Sequence, residues 1–326
     1  MPKRMAGSMD VSRSLRRTVV AAAGIALACA AQGALALTLM VGGPPGSPAD
    51  TIARRIASSV QKLTGQEMRV ENRAGGRGTA AADAAAKASP DGNTIVLVTE
   101  DYVIAATEGR QPYDAKNDLM PVTLVGTSPV VLVVDPAAGI TSIRQLVQRV
   151  AAAPGKMAFA VDTKGGLSEI TAELFKIDAD VEMPTLVFDT PEAATQAIKS
   201  GKAVAMFDNI SGVYPRLKTE ELRPIAVAND KRSALLPRVA TLRQTGIVNF
   251  EVQSWYGVLV AKGTNTLVIQ KLATDISNAM RDNDVIDAQG TPLLEPVCSS
   301  PLEFSLFLKE EFTRWQRVAQ YSGLKQ

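Results

Sequence analysis

The feature that most constrains this chain is the stretch 37–63, LTLMVGGPPGSPADTIARRIASSVQKL. A five-residue apolar run from Leu37 to Val41 is long enough for one buried strand. Gly42, Gly43, Pro44, Pro45 and Gly46 cannot continue it. Ser47, Pro48 and Asp50 then spell a helix start: an N-cap hydroxyl, a proline at the first helical position, and an acid where a capping box places one. Ile52, Ile56, Val60 and Leu63, with Ala53 and Ala57, share one helical face, and Gly65 ends the helix. A strand that delivers a glycine–proline loop and a helix N-terminus presents N–H groups and the positive end of a helix dipole. Such a place binds a carboxylate or phosphate without a cationic side chain. The plainer reading of the same residues is a tight βα connection.

The rhythm recurs. A strand at 68–71, a loop Asn72-Arg73-Ala74-Gly75-Gly76-Arg77-Gly78, an alanine-rich helix from Thr79 to about Ser89 and a strand at 94–98 make β-α-β-α-β, a parallel sheet covered by helices. The glycines at 75–78 suit either a second anion nest or a connection carrying two solvated arginines, and the second is expected. Residues 101–120 read as polar and irregular. Apolar runs at 121–125 and 130–134 flank Gly126-Thr127-Ser128-Pro129. A helix capped by Thr141 or Ser142, a strand at 157–161, the loop Asp162-Thr163-Lys164-Gly165-Gly166 and a helix from Leu167 to about Lys176 follow. Next come a strand at 184–188, a helix with Thr190 as N-cap and Pro191 at its first position, and a strand at 203–207 that ends at Asp208-Asn209. Residues 251–260 form a long extended run, and helices are predicted at 267–281 and 301–321.

Two such units imply two α/β lobes, with crossings near 125–133 and 251–260. Ligands of open α/β sheets bind beyond the carboxyl ends of the strands. Two lobes meeting there make a cleft that can close on a small solute. Trp255 and Tyr256, on the second crossing, are expected in the core.

The first 36 residues read as a secretory signal peptide. Lys3, Arg4, Arg13, Arg16 and Arg17 lead a short apolar segment at 19–31, and Ala34-Leu35-Ala36 offers a cleavage site. The segment is too short for a transmembrane helix, and no other apolar run approaches that length. Without the leader the chain holds 30 basic and 32 acidic residues, a net charge of −2 that gives no reason to expect a nucleic-acid partner. Of the two cysteines, Cys29 leaves with the leader and Cys298 stands alone. The sequence has no histidine, which excludes Ser-His-Asp and Cys-His catalysis and any His-ligated metal.

Several segments in order resemble a known family. They are VGGPPGSPAD (41–50), VENRAGGRGT (70–79), SPDGNT (89–94), PYDAKNDLMPV (112–122), VVLVV (130–134), AELF (172–175), MFDN (206–209), KRSALLPRVAT (231–241) and SWYGVLVAKGT (254–264). From residue 37 onward the chain is similar to the periplasmic solute-binding proteins of tripartite tricarboxylate transporters, the Bug or TctC-like family. The resemblance implies a two-lobed periplasmic-binding-protein (Venus flytrap) fold, each lobe a mostly parallel sheet flanked by helices. Lobe 1 would take residues 37–128 and 256–326, and lobe 2 residues 129–255. It implies capture of a small carboxylated solute, largely by backbone N–H groups, for delivery to membrane permease subunits. No cofactor, metal or catalytic residue is implied, and a monomer is expected.

The resemblance places a ligand loop at 43–50, with Pro45, Gly46, Ser47 and Asp50, a second at 162–169, with Lys164, Gly165, Gly166 and Glu169, and a third at 187–190, with Phe188 and Asp189. Ser128 and Asp208 join these as candidate contacts on the crossing and at a strand end. Glu169 and Asp189 stand where the family is usually neutral or basic. If both face the cleft, they disfavour a citrate-like ligand and favour an amino acid, an amide-bearing or cationic nutrient, or a monocarboxylate. The alternative is that both cap helices or point to water. Two other functions fit the residues less directly: a ligand-binding partner of a sensor kinase, and an enzyme using carboxylates such as Asp50, Glu169 and Asp189.

Overall fold

The structure, a computed structural model, describes residues 36–109, 111–248, 250–281 and 294–321. The expected signal peptide, its cleavage site and Cys29 fall outside the described residues. The first half alternates β1 (Leu37–Val41), α1 (Pro48–Thr64), β2 (Met68–Asn72), α2 (Thr79–Ala86), β3 (Thr94–Thr99) and α3 (Glu100–Glu108). The long β4 (Leu119–Val134) leads to α4 (Ile143–Ala152), β5 (Phe159–Val161), α5 (Leu167–Asp178), β6 (Thr185–Val187), α6 (Pro191–Lys199), β7 (Ala205–Asn209), α7 (Ile210–Lys218) and β8 (Arg223–Val227). The chain returns through β9 (Gln253–Ala261) to α8 (Thr266–Arg281), β10 (Glu295–Pro296) and α9 (Pro301–Tyr321).

The strands run in the order β2-β1-β3-β9-β4-β7-β5-β6, with β8 and β10 also paired to β4. β1 lies parallel to β2 and β3, and β5 lies parallel to β6 and β7, as the alternation of strand and helix requires. β4 and β9 pair antiparallel from Leu119↔Ala261 to Pro129↔Gln253; β9 also pairs β3 of the first half, and β4 runs on to pair β7 and β8 of the second. These two strands are the crossings expected near 125–133 and 251–260.

Both faces of the sheet are covered, so its strands are apolar on both sides. Leu37, Leu39 and Val41 pack with Ile52, Ile56 and Val60 of α1 and Ile276 of α8. Leu63, expected on that face, is exposed. On the other face one core runs through both halves, from Val96 and Tyr102 to Phe159, Phe175 and Phe207. α9 is pinned by Phe304, whose ring occupies the space a Cβ at Gly257 would need, with its Cζ 2.1 Å from that position. Trp255 and Tyr256 are buried in the crossing, as expected, and both Trp255 Nε1 and Trp315 Nε1 donate to the buried Glu311 at 2.9 Å.

Four elements differ from the sequence reading. Residues 101–120 are not all irregular: α3 occupies their start, burying Tyr102, Val103, Ile104 and Ala105 and closing on Gly109 at φ 68°. The two apolar runs around Gly126–Pro129 are one strand, β4, with register shifts near Pro121/Thr123 and Leu124/Gly126. Gly126 is required there because a Cβ would sit 2.6 Å from the Glu295 carbonyl oxygen of β10. α7 and β8 were not anticipated; α7 tolerates Pro215 and is capped by the Asn209 side chain, which accepts from Gly212 N–H at 2.8 Å.

Candidate functional site

The βα junctions of β1, β2, β3, β5, β6 and β7 lie at strand carboxyl ends, and the expected site residues other than Ser128 sit on these junctions. The first loop is braced from within. Ser47 caps α1 by accepting Asp50 N–H at 3.3 Å. Asp50, only 3% exposed, accepts from Gly46 N–H at 2.8 Å, Arg54 Nε at 2.9 Å and Asn72 Nδ2 at 2.9 Å. Burial pushes the Asp50 carboxyl up, but these hydrogen bonds outweigh it and hold it below the usual aspartate value. Asn72 also ties the Gly43 carbonyl at 3.0 Å. Ser47 N–H is spent on the Pro44 carbonyl, and Pro48 has none. Ala49 is left as the first-turn amide of α1 with no acceptor among the described hydrogen bonds. The loop therefore holds fewer open donors than its sequence suggests, while Pro45 and Gly46 are exposed and Ser47 is half-buried.

The first loop touches the second junction directly. A Cβ on Gly42 would lie 2.2 Å from Gly78 Cα, so only glycine permits the approach of the two backbones. Between them Arg77 holds a left-handed conformation, φ 55°, that costs an L-residue about 1–2 kcal/mol. Its guanidinium compensates by donating to the Gly165 carbonyl of the β5–α5 loop and to Glu108 of α3. The sequence reading expected Arg77 to be solvated; its side chain is only 15% exposed, because the partner loop 88 residues away covers it.

α5 opens at Gly166 without a side-chain cap, as α2 does at Gly78 and α3 at Thr99. Its first amides are thus left for water or a ligand. Gly165, at φ 70°, donates its N–H to Glu169 Oε2 at 2.5 Å, so Glu169 closes the loop on itself, the helix-capping alternative noted for it. Ser168 Oγ donates to Asp162 Oδ1 at 2.7 Å. Lys164 and Asp189 are exposed. Phe188 is half-buried under Lys202, whose Nζ lies 5.2 Å from the ring centre.

Ser128 is fully buried in β4 opposite Ser254. Its Oγ accepts from Ser211 N–H at 3.3 Å, and Ser211 Oγ lies 3.0 Å from Tyr256 Oη, a polar network inside the crossing. Beside it Glu100, 4% exposed, accepts from Ser254 Oγ at 2.8 Å and Trp255 N–H at 3.0 Å. Burial, followed by the neighbouring Asp101 charge, pushes the Glu100 carboxyl up to about 8. Asp208 is likewise raised well above its ordinary value by burial and by Asp162. Asp101 is pushed up to about 6 by burial, with Arg77 pulling it back and Asp162 and Glu108 pushing it further. Glu100 and Asp101 were missed from sequence; the signal was their place right after a third strand that ends at the same edge as β1.

Among the described residues no three His, Cys, Asp or Glu side chains converge to hold a metal ion, and no helix is long and apolar enough to cross a membrane. The family described as tripartite tricarboxylate transporter family receptor matches residues 52–324. Protein BugT of Bordetella pertussis is 30% identical over 311 residues, 94% of this chain and 95% of BugT. Among solved structures, R. palustris Rpa4515 with adipate superposes with a TM-score of 0.80 at 26% identity, covering 90% of this chain and 98% of that one. MatC from Rhodopseudomonas palustris with bound malate gives 0.76 at 27% identity, covering 88% and 99%.

Proposed function

The chain belongs to the tripartite tricarboxylate transporter receptor family and has its two-lobed periplasmic-binding-protein fold, and from that premise we propose that it captures a small carboxylated solute between its lobes and hands it to the permease subunits of such a transporter. On this reading the lobes divide at Ser128/Pro129 and Trp255/Tyr256, within the paired strands β4 and β9. The observation that carries the reading is the uncapped N-terminus of α5, facing the β5 carboxyl end and tied by Gly165 to Arg77 of the other lobe. A ligand carboxylate there takes the amides that no side chain of the protein takes. Pro45, Gly46 and Ser47 line the opposite wall, with Ala49 N–H as a second donor, while Asp50 and Ser128 hold their loop and crossing in place. Adipate and malate in relatives of the same fold support a carboxylate as cargo.

The protein is a receptor and not an enzyme on this reading. Of the acids the enzyme reading names, Asp50 and Glu169 are committed to loop amides and Asp189 is exposed. The N-terminal leader exports it to the periplasm. Thermal unfolding with adipate, malate, succinate and citrate tests the proposal. A bound carboxylate at a hundred times its Kd stabilises the fold by about 2.7 kcal/mol. No shift with any carboxylate, together with no small acid released from natively purified protein, refutes it.

A further inference from the structure

The two halves are joined far from the strands that connect them. In the order β2-β1-β3-β9-β4-β7-β5-β6, six spacings separate β2 from β5. On a flat sheet that is about 29 Å, beyond the reach of any side chain. Yet Arg77, which follows β2, donates from its guanidinium to the carbonyl of Gly165, which follows β5. The sheet therefore folds about β4 and β9, bringing the carboxyl ends of its two halves together.

Both sides of this contact are shaped for it. Residues 75–78 all hold positive φ, at 137°, 54°, 55° and 88°, and Arg77 alone among them is not glycine. A long side chain thus occupies a backbone conformation that suits glycine, and what its far end touches compensates. The other arm of the guanidinium donates to Glu108 at the end of α3, which aims it. Opposite, Gly165 at φ 70° is covered so closely that a Cβ there would lie 2.8 Å from Arg77 Nη1 and 3.5 Å from Glu108 Oε1. Gly165 N–H is held by Glu169 at 2.5 Å, so the residue is bonded through both its N–H and its carbonyl. The Arg77 side chain is only 15% exposed, which limits competition from water for a bond that its charge already strengthens.

The position of the contact gives it leverage. Arg77 stands three strands from β9 and Gly165 two strands from β4, so each lies about 10–14 Å from the crossing. A rotation of roughly 20° about the crossing parts them by about 4 Å, past hydrogen-bond reach. Glu295 also ties the halves, accepting from Ser233 Oγ at 2.9 Å and Ala234 N–H at 3.1 Å. But β10 lies on β4 beside the crossing itself, where the same rotation displaces little. Opening the lobes breaks the Arg77 contact and spares the Glu295 one.

We propose that Arg77 is a clasp that holds the lobes closed on each other without a solute, so that a solute enters only when the clasp parts. Every group it uses belongs to the chain itself, so it goes beyond the carboxylate reading and acts whatever the cargo is.

Small-angle X-ray scattering tests this on protein stripped of solute by unfolding in guanidinium and refolding. Arg77→Gly and Arg77→Asn both suit a positive φ and are too short to reach Gly165. The original gives the profile calculated for joined lobes, and both variants raise the radius of gyration by about 1 Å with unchanged circular dichroism. Equal radii in the original and a folded variant overturn the clasp, and so does an original already expanded beyond the joined lobes. The original's own profile decides even where a variant loses its circular dichroism. Neither result depends on whether a carboxylate binds, so failure of the clasp leaves the receptor reading standing.

Discussion

Glu100 makes the crossing strands sensitive to pH, and Glu100→Gln isolates the effect. Its carboxyl is buried against Ser254 and Trp255 of β9 and is pushed from an ordinary 4.5 up to about 8 by burial and by Asp101. Between these values the unfolded chain ionises Glu100 while the folded protein keeps it protonated. The folded state then binds more protons, so stability falls as pH rises from about 4.5 and levels off above about 8. Each pKa unit is worth about 1.4 kcal/mol, so the loss is on the order of 5 kcal/mol, an upper bound because water entering the crossing relieves part of it. Gln resembles the protonated acid in shape, still accepts from Ser254 and Trp255, and cannot ionise. Urea unfolding of both proteins at pH 5 and pH 8.5 reads the difference. The variant gains on the original by several kcal/mol between the two pH values, and subtraction removes the slope that Asp208 contributes to both. Equal differences at pH 5 and pH 8.5 refute a buried, protonated Glu100.

Asp50→Ala leaves Gly46 N–H, Asn72 and Arg54 without their acceptor; it costs ~2 kcal/mol and lowers the thermal midpoint by about 5 °C by calorimetry. Because Asp50 is held below its ordinary value, its contribution is present at neutral pH and is lost as pH falls through its folded pKa, so the variant and the original converge in acid. Gly42→Ala forces the first two loops apart, since the new methyl meets Gly78 Cα, and weakens carboxylate binding about tenfold or more in titration; unchanged affinity refutes the coupling of these loops. Gly257→Ala drives a methyl into the Phe304 ring and destabilises by ~2 kcal/mol, and Phe304→Leu in the same chain recovers part of the loss in denaturant melts. Glu311→Ala strands the indole N–H groups of Trp255 and Trp315 and costs ~3 kcal/mol, with a change in tryptophan emission.

What the sequence discloses and what it hides divide along the range of the interaction. The strand at Leu37–Val41, the Ser47-Pro48 start of α1 and the Thr190-Pro191 start of α6 were legible because cap, proline and apolar period act within a few residues and agree with one another. The positions of the strand-to-helix loops were legible for the same reason, since glycine and proline mark where each strand must stop. The continuity of β4 was not legible: Gly126 and Pro129 read as breakers until β9 and β10 are seen to pair across them. Nor was the chemistry of the loops. The N–H of Gly46 looks open in sequence, yet Asp50 four residues on consumes it. Arg77 looks solvated, yet a carbonyl 88 residues away fixes it. Asp101, Asp162 and Asp208 lie on three separate βα junctions, and nothing local relates them. Asp162 and Asp208 come to neighbouring strand ends only because β5 and β7 pair in parallel. Which loop groups stay open is therefore decided by long-range packing, and local pattern locates the junctions without disclosing their hydrogen bonding.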